Sequence, residues 1–101
     1  MNREPLPVAC SLTETELRER RNGLLHEIGN AVRERRELPD GYAFRFEESE
    51  EMLTRLLTLI RLERECCPFL TFRLTFEPGG GPVWLDVTGP EGTREFLASL
   101  L

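Results

Sequence analysis

The stretch "FLTFRLTFEPGGGPVWLDVT" (69–88) limits the fold more than any other part of the chain. Leu70, Phe72, Leu74 and Phe76 alternate with their neighbours, and beyond "PGGG" the residues Val83, Leu85 and Val87 alternate again. Alternation of this kind puts one face of a strand in a core and the other outward. Two such runs joined by a Pro/Gly loop form an antiparallel hairpin. A third run, "GYAFRFE" (41–47), sends Tyr42, Phe44 and Phe46 one way and Ala43, Arg45 and Glu47 the other. Strands with one apolar face need a covering layer.

Helices supply that layer. "SLTE" (11–14) and "TETE" (13–16) each fit a capping box, and Leu17, Leu24, Leu25, Ile28 and Val32 share a helical face. This spacing predicts a helix ending near Arg36, followed by a turn at "ELPDGY" (37–42). A second helix is expected from about Glu48 to Cys66, with Met52, Leu53, Leu56, Leu57, Leu59 and Ile60 as its apolar stripe. Pro68 stops it and biases Cys67 out of helical geometry. After "TGPEG" a short helix closes the chain with Phe96, Leu97, Leu100 and Leu101. "PVAC" (7–10) reads as a short strand, and residues 1–6 as a loose end. The expectation is one domain over residues 1–101: an α+β two-layer sandwich of order (β)αβαββα. Its sheet is mostly antiparallel, with helices on one face. The outward face would carry Arg45, Phe69, Arg73, Trp84 and Asp86. That is either a solvated surface or the contact of a homodimer.

Composition narrows the function. Hydrophobic content of 40% and charged content of 31% are globular values, and the net charge is −5. An acidic domain is a poor nucleic-acid binder. All thirteen basic residues are arginine, which excludes lysine Schiff-base chemistry. No apolar run is long enough for a membrane span, and "MNREPLPVAC" lacks the apolar core of a signal peptide. With an odd number of cysteines, three, these features suggest a cytoplasmic protein. There is no Ser/His/Asp set and no carboxylate dyad, so the chain reads as a binding protein rather than an enzyme. His26, the single histidine, sits just off its helix's apolar stripe and reads as a surface residue.

"ERECCPF" (63–69) holds the chemistry. Counting back by sevens from Cys67 gives Ile60 and Leu53, and from Cys66 gives Leu59 and Met52, so both thiols end a buried stripe. Glu63 lies on the same face, where a carboxylate needs a partner. Arg21 is the matching anomaly on the first helix, and the two are expected to pair across the helix interface beside the thiols. Adjacent cysteines rarely bridge each other, because their Cα atoms are only ~3.8 Å apart. A helix C-terminus and neighbouring carboxylates also oppose a reactive thiolate. A soft ion displaces the protons itself, and two neighbouring sulfurs chelate it. Cys66 and Cys67 are therefore candidate ligands, with Cys10 a third and Glu63 and Arg21 behind them. Without CxxC spacing this is no zinc signature. The alternatives are cysteines that merely pack, in a small interaction module, or a thiol redox sensor that bridges Cys10 to Cys66 or Cys67.

The segments "SLTETELRERR", "LPDGYAFRF", "ERECCPF" and "TGPEGTREFL", with Cys10, together resemble a family of small bacterial proteins. The shared mark is a vicinal-cysteine E-x-x-C-C-P-F motif. Similar segments accompany MerR-type regulators and heavy-metal resistance genes, although this chain lacks a helix-turn-helix. The resemblance implies a mercury- or arsenic-related thiol role.

Overall fold

The computed structural model describes residues 15–100. "PVAC", Cys10 and the two capping boxes up to Glu14 lie outside the described residues, as does Leu101. The elements are α1 (Thr15–Ala31), β1 (Glu34–Leu38), β2 (Gly41–Phe46), α2 (Glu50–Cys66), β3 (Thr71–Phe76), β4 (Val83–Thr88) and α3 (Thr93–Leu100). The four strands form one antiparallel sheet in the order β1-β2-β4-β3, and the helices cover its apolar face. The α+β two-layer class is the expected one. The element order differs among the described residues, because α1 stops at Ala31 and residues 34–38 form a strand.

That strand corrects the helix expected to reach Arg36. "ERREL" has little intrinsic strand preference, and its charges suit an exposed helix equally well. The turn at Pro39–Asp40 folds it onto β2 in a register from Leu38↔Gly41 to Glu34↔Arg45. The backbone N–H of Arg33 continues the ladder by donating to the Arg45 carbonyl at 2.8 Å. Pairing across the turn overrides local preference here.

The inward face is assembled as alternation predicts. Tyr42, Phe44, Phe46, Val83, Leu85 and Val87 are buried, and Met52, Leu56, Leu59, Ile28 and Leu97 pack onto them from the helices. Ser49 caps α2 by accepting from the Met52 N–H at 3.0 Å, which satisfies one of the orphan donors at a helix start. Two side chains of the expected stripes depart from them, and one outside the stripes joins the core. Leu57 and Phe76 are more than half exposed, whereas Leu62 is buried. Between β3 and β4, Gly79 and Gly80 both take φ near +70°, a conformation that favours glycine, and the Glu77 N–H donates to the Pro82 carbonyl.

The outward face differs from the expected one at Phe69. This residue precedes β3, so the strand's alternation does not reach it. It is buried against Phe96 of α3 with ring centroids 5.2 Å apart, edge to face. Trp84 does lie on the outward face, half-buried beneath the Arg36 guanidinium at 4.5 Å. Ala43 is buried there as well, because β2 is an inner strand of the sheet.

Candidate metal centre

Helix α2 delivers the candidate site at its C-terminal end. Glu63, Cys66 and Cys67 follow at helical spacing, and all three are buried. The last turn closes when the Cys67 N–H donates to the Glu63 carbonyl at 2.6 Å. Cys67 itself leaves helical geometry, with φ −129° and ψ 72°, as the following Pro68 requires. The chain then turns back as the Leu70 N–H donates to the Cys67 carbonyl. Cys66, Cys67 and Phe69 form a small apolar cluster walled by Leu70 and Phe96.

Arg21 and Glu63 meet across the interface of α1 and α2, as their misplaced charges suggest. Arg21 Nε donates to Glu63 Oε1 at 2.5 Å and Nη2 to Oε2 at 3.3 Å, a two-pronged contact between side chains over 90% buried. The fork of a guanidinium matches a carboxylate in this way. Burial without such a partner would be costly for either charge.

The sulfurs lie beside this pair. Cys67 Sγ donates to Cys66 Sγ at 3.4 Å. Cys66 is disulfide-bonded, and Cys67 carries the free thiol of the pair. Burial pushes the Cys67 thiol up to about 12, the Glu63 carboxylate beside it pushes the same way, and Arg21 offsets them in part. A free thiol in that setting stays protonated near neutrality and is a poor nucleophile.

One ligand atom from each of Glu63, Cys66 and Cys67 lies within 4.8 Å of the others, close enough to hold a metal ion. A soft ion would draw on the sulfurs, while a carboxylate already held by Arg21 suits a harder ion. Among the described residues the sequence-predicted set is therefore brought together: Cys66, Cys67, Glu63 and Arg21. Cys10 lies outside them. His26 is exposed on α1, its Nε2 3.3 Å from Asn30 Nδ2. The residues that sequence reasoning missed are Phe69 and Phe96, the aromatic wall over the thiols. Their sequence signal was the Pro68 break, which separates Phe69 from the strand pattern.

No helix among the described residues is long and apolar enough to cross a membrane. Comparison with protein-family models, with curated proteins and with solved structures finds no match for this chain.

Proposed function

We propose that this is a cytoplasmic thiol protein that captures a soft metal or metalloid ion between Cys66 and Cys67 when both are reduced. The observation that carries this reading is two buried sulfurs 3.4 Å apart beside a neutralised Arg–Glu pair. Ion binding and the bridge at Cys66 use the same sulfur, so they exclude each other. A reducing compartment favours the ion-binding form.

A hard ion gains little from sulfur, and the raised proton affinity of Cys67 selects for ions able to displace that proton. The resemblance to vicinal-cysteine proteins that accompany metal-resistance genes points the same way.

The test is a titration of protein reduced with a phosphine, using arsenite and then Hg(II), read by intact mass and ultraviolet thiolate absorption. A one-to-one complex is expected that is lost in Cys66→Ser and in Cys67→Ser. No complex, or one indifferent to both substitutions, ends the reading. The bridge at Cys66 favours a second reading, a thiol redox sensor. That reading expects peroxide to form the bridge at physiological doses without any bound ion. A homodimer through the outward sheet face has less apolar surface to draw on, because Phe69 is buried elsewhere and Arg36 covers Trp84.

A further inference from the structure

The two margins of the sheet are chemical opposites. β1 is mostly charged, whereas β3, "TFRLTF", has Arg73 as its single charge. Phe72, Leu74 and Phe76 share the face on which β4 buries Val83, Leu85 and Val87. Yet Phe72 and Leu74 are only half-buried, and Phe76 is more than half exposed. Among the described residues no strand pairs with the far side of β3.

The direction of its backbone groups follows from two hydrogen bonds. The Glu77 N–H donates to the Pro82 carbonyl, and the Gly89 N–H donates to the Asp40 carbonyl. Bonded pairs recur at every second residue of an antiparallel ladder. Carried through the registers of β2, β4 and β3, both bonds give one answer: Thr71, Arg73 and Thr75 direct their backbone groups at β4. The N–H and C=O groups of Phe72, Leu74 and Phe76 therefore point away from the sheet. Helix α2 extends this flank. α1 shares a surface depression with Arg35 of β1 and so lies on the β1 side, and it meets α2 at Arg55 and Glu63. At ~100° per residue, Leu53, Leu57 and Ile60 fall on the opposite side of α2, towards β3. The two large apolar side chains exposed among the described residues, Leu57 and Phe76, thus belong to one flank.

We propose that β3 pairs antiparallel with β3 of a second copy of this chain, about a two-fold axis through Leu74, so that two sheets join into one. The strand selects a second copy because it is complementary to itself. With Leu74 opposite its counterpart, Phe72 faces the partner's Phe76, and Phe76 faces the partner's Phe72. All three outward-pointing residues then exchange backbone bonds in pairs, and aromatic side chains stand opposite each other. Centring on Arg73 instead would set two guanidinium groups directly opposite, which is destabilising. Centring on Thr75 would leave Phe72 beyond the partner strand. A shift by one residue would turn the apolar faces to opposite sides. Charge agrees with the Leu74 register. Arg73 comes one diagonal from the partner's Glu77, and Asp86 stands opposite Arg73 in its own sheet. These carboxylates offset the diagonal approach of the two Arg73 side chains. The mixed charges of β1 oppose the same pairing at the other margin, so the assembly closes at two copies.

The experiment is sedimentation equilibrium over a concentration series, with a limiting mass of twice 11.7 kDa expected. Phe76→Lys should weaken association by at least ~30-fold, because symmetry removes the apolar contact twice and places a charge on the edge. Under mild oxidation Leu74→Cys should form an intermolecular cross-link between the introduced thiols, since Cα atoms of a bonded pair stand ~5.5 Å apart, within disulfide range. Arg73→Cys should not, because its counterpart is a diagonal ~7–8 Å away. Peptide mapping separates these links from any that involve the native cysteines. A monomer at every concentration overturns the proposal. If the amides of Phe72, Leu74 and Phe76 are then still protected from deuterium exchange, the edge is covered by the chain's own remaining residues. A dimer indifferent to Phe76→Lys, or one cross-linked through Arg73→Cys and not through Leu74→Cys, overturns it as well.

Discussion

Helices α1 and α2 are joined by two ion pairs made from the same chemical groups. Arg21 meets Glu63 where the helices are covered, and Glu27 meets Arg55 at 3.8 Å where they face solvent. As Arg21 and Glu27 advance along α1, their partners step back along α2 from 63 to 55, so the helices run antiparallel. The first pair is more than nine-tenths buried, whereas Glu27 is more than half exposed and Arg55 shares its guanidinium with Glu51 at 2.7 Å. Only environment differs. Water screens the outer pair and leaves it little net value. It cannot reach the inner pair, where each charge depends on the other and both set the electrostatics of Cys67. One interface thus carries a structural commitment at one point and an incidental contact at another.

The sharpest way to break this contrast is Arg21→Met. Leaving Glu63 buried and unpaired should cost ~3–5 kcal/mol in urea denaturation, and Arg21→Met combined with Glu63→Leu should recover most of it. If the single and double variants are equally unstable, the pair is not the source of the cost. A second measurement uses Cys67. Its folded pKa is raised, so its contribution to stability is fully present below about pH 9, where the unfolded thiol still holds its proton. Above that the unfolded state loses the proton first. Stability should fall by up to ~1.4 kcal/mol per pH unit as pH rises towards about 12, the folded value. Cys67→Ala should flatten this slope when the two proteins are compared at each pH. On the outward face, Arg36→Ala removes the guanidinium stacked over Trp84 and should cost ~0.5–1 kcal/mol. The smallest effect belongs to Glu27→Gln, within ~0.5 kcal/mol and vanishing at high salt. A cost matching that of Arg21→Met would erase the distinction between the two pairs.

Much of the fold was legible because the strands state their faces one residue at a time. Phe44, Phe46, Val83, Leu85 and Val87 are buried where alternation puts them. The Arg21–Glu63 pair was legible for a related reason: each charge interrupts an apolar stripe, and two interruptions on adjacent helices require each other. Strand β1 was not legible. Its turn residues were, but "ERREL" acquires strand geometry only from hydrogen bonds to β2. Phe69 was misread because counting the alternation from 69 ignores where β3 begins, at Thr71. The proximity of both sulfurs to Glu63 followed from helical spacing. A bridge at Cys66 or Cys67 stood in the sequence only as the redox-sensor alternative, since oxidation state depends on a potential that no residue pattern encodes.

Strand β1 lies at one margin of the sheet and carries Glu34, Arg35, Arg36 and Glu37 in succession, with Leu38 its single apolar side chain. Detaching it would expose few hydrocarbon groups of its own, so beyond its ladder to β2 it is exposed contacts, among them the Arg36–Trp84 stack and the Glu37–Arg94 and Glu34–Arg45 pairs, that oppose local opening. Its amides should therefore exchange with solvent deuterium well before those of β2 and β4, which bury the core. The same charges make the margin a poor template for another polypeptide, because a docking strand would have to accommodate charges of both signs along its length. A border that opens readily without becoming adhesive lets the sheet breathe at that rim.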